Sequence, residues 1–504
     1  MRKGRGIIGV FLAAGAAALL SALPVTASAN TTITLDSFIS QTILNNPTVR
    51  AYVQRTREAE GSEYSARGID DVQFTSLFEA AKKEQPQISG FESTEDKQIA
   101  YSVGLSKIIS QSGTRIGARY QNQWTRGQYP AAVTQLFAPM NPYYTPSVTL
   151  TLAQPLMKNI AGIQDQLGKR VTRIQLALAK VAYDENVEAF ISDMTQMYLN
   201  WLRAYRSANI LAEVYGKTQN AVKLIEEQVQ ARVSEESDLY RIKEQAANYR
   251  GQWQGALAAF EALTQQVAAM MNPGAPPQGI VPTGTENSFL STYASRSQGL
   301  TYLKESSRLR QVLDYSLEVE RQQLRADKNA RLPDLELFVN YTRLGASGDF
   351  NRAHGSTFDN DDISGGLNFS VPITDRTARG QYRYQKAKLN RVGFENDRTM
   401  LDATSRLEGL YDQERRYLSQ VKAYEQQVYY GRKKLDEEIK QYEDGRLTLF
   451  QLLQDQTDYT NQRLVLEEAK VDLASVRLSI GELTDVNLDD FSGTIESVKQ
   501  ADGQ

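Results

Sequence analysis

Residues 147–205 change from one hydrophobic period to another along the sequence SVTLTLAQPLMKNIAGIQDQLGKRVTRIQLALAKVAYDENVEAFISDMTQMYLNWLRAY. At the start of this stretch, Val148, Leu150 and Leu152 alternate with small polar residues, the pattern of a β-strand with one apolar face. Further on, apolar side chains recur at three- and four-residue spacing, the pattern of an amphipathic helix. A strand is therefore predicted to run into a helix. The apolar helix positions are Val171, Ile174, Leu178, Val181, Phe190, Met194, Met197, Trp201 and Tyr205.

The placement of proline predicts two very long helical segments. No proline occurs between Pro155 and Pro273 or after Pro372, and the second segment has the same helical spacing as the first. A helix of about 70 residues would be about 100 Å long at the usual rise per residue. Globular helices are far shorter, so these segments are typical of coiled-coil rods. The second segment's apolar positions are Leu401, Leu407, Leu410, Tyr417, Val421, Tyr424, Val428, Leu435 and Ile439.

Four segments of about ten residues alternate between apolar and small polar side chains, and this is the length that a tilted strand needs to cross a bilayer. They form two pairs, 114–125 with 146–155 and 333–345 with 363–372. An ordinary half-buried sheet would show the same alternation in any single strand. A fifth segment, 99–109, also alternates and is either a short extra strand or an edge strand.

The order of elements repeats along the chain, which predicts an internal structural duplication. The first repeat, 30–272, contains a helix from Thr34 to Arg67, a strand pair, a long helix and a closing helix. Residues 273–287 are rich in proline and glycine and are predicted to be a linker. The second repeat, 288–483, contains the same elements, beginning with a helix from about Ser288 to Ala330, and residues 484–504 are predicted to be a flexible tail. The long and closing helices are predicted over 160–232 and 237–271, and over 376–443 and 446–483.

Residues 1–29 have the features of a secretory signal peptide. Basic residues precede an apolar run, and Ala27-Ser28-Ala29 provides a small-residue cleavage site, so the exported chain is predicted to start at Asn30. No later window is apolar and long enough for a membrane-spanning helix. If the chain lies in a membrane, its strands must span it.

Composition argues against most enzymes and against nucleic-acid binding. The 504-residue chain has no cysteine, one histidine (His354) and a formal net charge of −3. Thiolate chemistry, cysteine-ligated metals and a histidine-based triad are thereby excluded or made improbable, and no basic stripe marks a nucleic-acid partner. We predict no enzyme activity, no cofactor and no metal site. His354 is expected in a solvated surface loop, 346–362, and a metal site there is the less favoured alternative.

Four membrane strands cannot close a barrel, because the smallest membrane barrels use about eight. An open sheet edge in lipid would leave backbone groups unpaired. The chain is therefore expected to form an oligomer, and a cyclic trimer would supply 12 strands. The same symmetry would arrange the long helices in a ring outside the membrane. The predicted fold is a β-barrel continued by an α-barrel.

Short motifs lie along both repeats: Ile33-Thr34-Leu35-Asp36, Asn45-Asn46-Pro47-Thr48-Val49-Arg50, Asn141-Pro142-Tyr143-Tyr144, Leu152-Ala153-Gln154-Pro155-Leu156, Leu332-Pro333-Asp334-Leu335, Val371-Pro372-Ile373 and Tyr442-Glu443-Asp444-Gly445-Arg446-Leu447-Thr448. In this order they resemble the motifs of TolC-like outer-membrane efflux proteins, over essentially all of the exported chain. The resemblance implies a homotrimeric channel-tunnel in the outer membrane with a large periplasmic extension. It also implies docking to a periplasmic adaptor and an inner-membrane pump, as in tripartite efflux or type I secretion.

The resemblance implies that the tunnel closes at two helix–turn–helix tips, Arg232 to Tyr240 and Tyr442 to Asp455. Tyr442 matches the family's latch tyrosine, and Gly445 is expected at the left-handed position after the helix. The chain departs from the family pattern at two points. Its tip arginine, Arg446, lies one position before the family's latch arginine, and Gln451 and Gln454 stand where some members carry aspartates that ring the constriction. The predicted aperture residues are Tyr442, Gly445, Arg446, Gln451, Gln454, Asp455, Glu235, Glu236, Asp238 and Tyr240.

Two further hypotheses concern the ends of the tunnel. In a trimer, Glu235, Glu236 and Asp238 would form acidic rings that favour cations, although a solvated turn with acids at a helix start explains them equally well. The predicted membrane-interface aromatic girdle is Tyr120, Trp124, Tyr143, Tyr144 and Tyr341.

A soluble periplasmic coiled-coil scaffold or adhesin stalk is the alternative function. The exported substrate, whether drugs, metal ions or polypeptides, is left open.

Overall fold

A computed structural model describes residues 31–84, 86, 91–131, 133–138, 141–232, 234–284, 295–488 and 491–501. The predicted signal peptide lies outside these residues, as do 285–287 of the predicted linker. The chain consists of one six-stranded antiparallel sheet, two very long helices with their partners, and a small parallel pair of strands.

The first half of the chain contains β1 Thr31–Ile33, α1 Leu35–Asn45, α2 Pro47–Arg67, β2 Gln73–Glu84, β3 Glu95–Ile109, β4 Thr114–Gln128, α3 Thr134–Phe137, β5 Tyr143–Pro155, α4 Leu167–Gln230, α5 Glu236–Met271 and β6 Ile280–Pro282. The second half contains α6 Arg296–Glu305, α7 Arg308–Ala330, β7 Asp334–Leu344, α8 Phe350–Gly355, β8 Asn360–Ser370, α9 Arg376–Glu443, α10 Leu449–Leu483 and α11 Ser492–Ala501.

The two long helices are α4, with 64 residues, and α9, with 68 residues. Each is therefore about 100 Å long. Helix α4 packs against α5, α2, α7 and α10, whereas α9 packs mainly against α10 and α7. Only four residues of α9 are buried, against nineteen of α4. Most of the surface of α9 is thus uncovered in a single chain.

Two predicted single helices are each broken in two. The helix expected from Thr34 to Arg67 stops at Asn46, whose side chain caps α2 by accepting from the Thr48 amide, with Pro47 in the first turn. In the second half, Ser307 caps α7 in the same way. An N-cap residue has non-helical backbone angles, so it ends one helix and starts another.

The sheet has six strands in the order β2-β3-β4-β5-β7-β8, two more than the four membrane strands predicted from the two strand pairs. Segment 99–109 belongs to β3, which pairs with β4 over its full length. Strand β2 pairs in turn with β3, from Gln73 opposite Ser106 to Glu84 opposite Glu95. The sequence of β2 does not indicate a strand, because Leu77 interrupts the alternation of apolar and polar residues and the charged residues Lys82, Lys83 and Glu84 end it.

The main core lies where α1, α4, α5 and α11 meet. Trp201 is fully buried and donates to the Thr264 hydroxyl at 2.8 Å, while the Tyr198 hydroxyl lies 2.8 Å from the Ile33 carbonyl oxygen. The tail is also part of this core, because Ile495 and Val498 of α11 are buried in it. The expectation of a flexible tail is therefore wrong for 491–501: Phe491, Ile495 and Val498 recur at helical spacing and face α1.

No helix within the described ranges is long and apolar enough to cross a membrane.

Candidate membrane face and tunnel tip

One face of the sheet is apolar and largely uncovered in the single chain. Because the six strands pair in continuous register, their alternating apolar residues lie side by side from β2 to β8. Exposure is high at both edges, with Phe78 71% and Ile363 70% accessible. The large apolar side chains on this face are Phe74, Phe78, Ile99, Tyr101, Val103, Leu105, Ile116, Tyr120, Trp124, Tyr144, Val148, Leu150, Leu152, Leu335, Leu337, Val339, Tyr341, Ile363, Leu367 and Phe369.

The opposite face carries mostly small and polar side chains. Arg119 donates to the Ser102 hydroxyl at 3.2 Å, and the Thr149 and Thr342 hydroxyls lie 3.1 Å apart across two strands. Phe338, which interrupts the alternation in β7, lies against Gly366, so that a Cβ at Gly366 would be 3.1 Å from its ring. The sheet therefore separates an apolar side from a side that water can wet.

Four of the five predicted girdle residues lie on the apolar face. Trp124 is directly opposite Tyr144 on the neighbouring strand, and Tyr341 lies between Leu150 and Ile363. Tyr143 pairs with Thr125 and points to the polar face. It is excluded from a lipid-facing girdle because successive side chains of a strand alternate.

His354 is not in an irregular loop, contrary to the expectation from sequence. It lies in α8, which Asp349 caps. Its Nε2 atom is 2.6 Å from the Tyr120 hydroxyl, and its ring packs on Phe350 at a centroid distance of 4.0 Å. Helix α8 thus covers one end of the sheet through aromatic contacts.

The two helix–turn–helix tips have closely similar backbones. After α9, Gly445 has φ +72°, and the amides of Gly445 and Arg446 donate to the carbonyls of Tyr442 and Gln441 at 2.9 and 2.8 Å. This is the paired hydrogen-bond pattern of a helix that ends on a left-handed residue. After α4, Arg232 takes the same place with φ +59°. The N-cap residues of the next helices, Thr448 and Glu235, lie three residues later in each case.

Tyr442 packs on an apolar cluster shared by three helices. Its neighbours include Ile225 of α4, Ile242 of α5 and Leu449 of α10. Burial raises the pKa of the Tyr442 hydroxyl, and the nearby Asp238 carboxylate adds to the shift. Of the predicted aperture residues, Tyr442 and Asp238 are thus close together although they come from different tips.

Several other predicted aperture residues make their contacts within their own tip. Asp455 pairs with Lys434 at 2.5 Å, joining α10 to α9, and Arg446 pairs with Asp444. The remaining contacts are short-range: Asp238 with Arg241, Glu235 with the Ser237 hydroxyl, Gln451 with Thr448 and Gln454 with Asp458. Glu236 is in the first turn of α5, and Tyr240 is 66% exposed.

A row of polar contacts joins α10 to the α4–α5 pair, and the sequence analysis missed it. Thr457 is 3.0 Å from Gln245 Nε2 and 3.1 Å from the Tyr249 hydroxyl. Further along α10, Arg463 pairs with Glu213 of α4 at 2.9 Å. The only sequence signal is the presence of polar residues on one side of α10, and their partners cannot be assigned without the relative height of the helices.

A cavity of about 920 Å³ lies beside this row, between α4 and α9 near the tips. Helix α9 does not close against α4 there, so the two helix pairs are bridged by α10 and, at the tip, by Tyr442 of α9. Apolar side chains that line the cavity include Leu224, Leu435, Ile439, Leu447, Leu452 and Tyr459.

A buried charge cluster lies at the other end of α4, and no sequence motif predicted it. Arg308, at the start of α7, contacts Glu188 and lies 2.6 Å from Glu185 and 3.4 Å from Asp485. The three carboxylates are close enough to share a metal ion, but the Arg308 guanidinium fills the space between them. Burial raises the pKa of Glu188 from 4.5 to about 8, which Arg308 only partly offsets.

Three solved structures share this fold along most of their length. The Campylobacter jejuni CmeC outer membrane channel gives a TM-score of 0.63 at 14% identity, covering 98% of both chains. The open state of the Neisseria gonorrhoeae MtrE outer membrane channel gives 0.64 at 12% identity, covering 90% of this chain and 89% of that one. CusC, described for its transmembrane channel formation, gives 0.66 at 13% identity, covering 89% and 91%.

No protein-family model and no curated protein matches the chain. At these identities the likeness establishes the fold alone, which is that of solved outer-membrane channels. The resemblance to TolC-like proteins expected from the sequence is confirmed at that level.

Proposed function

We propose that this chain is one protomer of an outer-membrane channel that continues into the periplasm as a helical tube. The observation that carries the proposal is the continuous apolar face of the sheet, with Phe78 and Ile363 about seven-tenths exposed. Monomeric soluble proteins rarely expose apolar patches beyond about 300–600 Å². In a channel wall, lipid would contact the apolar face of the sheet and water would contact the polar face. A soluble scaffold or adhesin stalk gives no reason for such a face.

The functional unit is proposed to be a homotrimer. Sheet edges cannot remain open in lipid, because each unpaired backbone group costs several kcal/mol. The uncovered surface of α9 supports the same conclusion, since Phe394 and Leu401 are 74% and 65% exposed on a helix that must otherwise stand in water. Neighbouring copies would cover these side chains. The matching tip turns at Arg232 and Gly445 support an internal duplication that places equivalent helix pairs around the ring.

The periplasmic tips are proposed to be the gate. The α9–α10 pair is held to α4–α5 through α10, by the Thr457 contacts and the Arg463–Glu213 ion pair, whereas the cavity separates α9 from α4. Outward movement of the α9–α10 pair would break these α10 contacts near the tips and would widen the tube. The tip residues Tyr442, Gly445 and Asp238 would lie where this movement is largest.

A periplasmic adaptor and an inner-membrane pump are the proposed partners, in an efflux or secretion system. The support for these partners is the fold shared with solved outer-membrane channels. In this role the chain carries out no reaction. The pump would use the energy of a proton gradient or of nucleotide hydrolysis, and the channel would act as a passive exit.

Cell fractionation and detergent extraction test the proposal. The full chain should remain in the outer-membrane fraction after high-salt and alkaline washes, and detergent should release a species with the mass of three chains. A chain that leaves the membrane in salt as a monomer would contradict the channel and would favour the periplasmic scaffold.

A further inference from the structure

The β2–β3 hairpin has the same two faces as the four strands that follow it. Phe74 and Phe78 of β2 lie opposite Leu105 and Tyr101 of β3 on the apolar face. On the other face, β3 carries small polar residues, including Ser102, opposite Gln121 of β4. The hairpin therefore continues the wall from β4 without a change of face.

The hairpin is also firmly joined to that wall. Strand β3 pairs with β4 along its whole length, from Glu95 opposite Gln128 to Ile109 opposite Thr114. A ring closed through β4 instead, with four strands per copy, would need the β3–β4 hydrogen bonds to break. The neighbouring copy's β8 would then pair with β4, but the edge of β3 that faced β4 would be left unpaired.

The two edge strands are suited to pair with each other between copies. Strand β2 has 12 residues and β8 has 11, and neither has a neighbouring strand on its outer side among the described residues. Successive strands of the sheet alternate in direction, so β2 and β8 run opposite ways and can pair as an antiparallel ladder. Their upper ends carry opposite charges, Lys82 and Lys83 on β2 and Asp361 and Asp362 on β8.

We propose that β8 of one copy pairs with β2 of the next, so that a trimer closes an 18-stranded wall. This rests on the proposed membrane channel and deepens it. When both strands start at the same height, Phe74 lies opposite Phe369 and Lys82 opposite Asp361. In this register the apolar face stays continuous across the junction, and the edge charges pair.

An 18-stranded wall changes where the channel selects its cargo. Barrels of about 16–18 strands leave an open aqueous channel, whereas those of about eight strands fill with side chains. The membrane part would then be wider than 12 strands allow. Size selection falls on the helical tips, and the sheet section passes any solute or polypeptide that the tips admit.

Cysteine cross-linking in the full chain tests the junction directly, because the chain has no cysteine of its own. Glu79→Cys and Ser364→Cys face each other across β2 and β8 in the proposed register. Gln121→Cys with the same Ser364→Cys reports the alternative closure through β4. In an antiparallel ladder the opposing side chains on one face are closer together than those on the other face. A second pair, Ser76→Cys with Leu367→Cys, therefore tests the same register on the opposite face of the sheet. Oxidation and a short bis-maleimide are applied in native membranes.

We expect the β2–β8 pairs to shift the chain to covalent dimer and trimer bands, with neither single cysteine doing so and the Gln121→Cys pair remaining monomeric. Cross-linking of the Gln121→Cys pair, or no cross-linking of either β2–β8 pair in a protein with trimer mass, overturns the 18-stranded wall. A monomer that washes out of the membrane would instead contradict the proposed channel itself, so the two failures are distinguishable.

Discussion

Single residues at the tips fix how each long helix ends. Gly445 has φ +72° with nothing within 4 Å of an added Cβ, so a side chain there meets no clash and only the backbone conformation is unfavourable. Gly445→Ala should cost about 1 kcal/mol of local stability and speed amide exchange at the tip about fivefold. Hydrogen exchange measured by mass spectrometry provides the readout.

Gly409→Ala is the matched control, because Gly409 lies inside α9 and is equally free of neighbours. Alanine is favoured over glycine within a helix by about 0.5–1 kcal/mol, so exchange around residue 409 should slow. Unchanged exchange at the tip in Gly445→Ala would show that the left-handed conformation is not retained in solution.

Glu188 makes stability depend on pH above the usual carboxylate range. Its pKa is about 8 in the folded chain and 4.5 when unperturbed, so between these values the folded state holds a proton that the unfolded chain releases. Stability from this group is therefore complete below about pH 4.5 and is lost as the pH rises through 8. Glu188→Gln should flatten the fall in thermal midpoint between pH 5 and 8, followed by circular dichroism in detergent.

Glu213→Gln is the control for this measurement. Lys217 and Arg463 lower the pKa of Glu213, so its contribution changes only in acid and the slope between pH 5 and 8 should persist. If Glu188→Gln kept the wild-type slope, the buried cluster around Arg308 would not be the source of the pH dependence.

The acidic residues of the first tip have two possible explanations, which a selectivity measurement distinguishes. If Glu235, Glu236 and Asp238 ring the mouth in a trimer, their joint replacement by Gln, Gln and Asn should reduce cation preference. Reversal potentials in a salt gradient measure it. Unchanged selectivity would leave them as solvated acids at the start of α5.

At the scale of elements, the proposed gate is held by α10. The Thr457 contacts and the Arg463–Glu213 pair are worth about 1 kcal/mol each, so Thr457→Val with Arg463→Gln should shift the closed-to-open ratio up to about 30-fold. Single-channel recording should show longer openings. Asp455→Asn, which breaks only the Lys434 pair within the same hairpin, should not. Equal opening by both variants would refute a gate held by α10.

Helices and strands with strong periodicity could be predicted from sequence, and the rest could not. Proline placement and three- and four-residue spacing indicated the rods, and α4 and α9 occupy the predicted regions. Strand β2 escaped because Leu77 and the charges at 82–84 obscure its alternation. The tail escaped because Ile495 and Val498 are only two apolar positions among polar residues, and their burial depends on α1 lying nearby.

The site was predictable only where local backbone rules decide it. Gly445 lies at the left-handed position expected of a glycine after a helix, since that position follows from chain geometry alone. Tyr143 was misassigned because one residue of register reverses a side chain's face. The Thr457 and Arg463 contacts depend on the relative height of two helix pairs, which no local pattern encodes.

At the scale of the whole molecule, the exposed surfaces of the sheet and of the long helices are explained by an assembly of several chains. One copy leaves two open sheet edges, an apolar face and most of α9 uncovered. Three copies would pair the sheet edges and cover α9, lipid would cover the apolar face, and the assembly would enclose one continuous path from the membrane to the tips. The proposed channel is therefore a property of the oligomer, and the single chain has no pore.

Conductance of the purified, detergent-extracted protein in a planar bilayer, with its mass determined alongside, tests this central claim most directly. We predict the mass of a trimer and small, discrete channel events, because the closed tips limit the current. A monomer that never conducts would contradict the channel and would make the sheet an ordinary one, with a periplasmic scaffold as the remaining explanation.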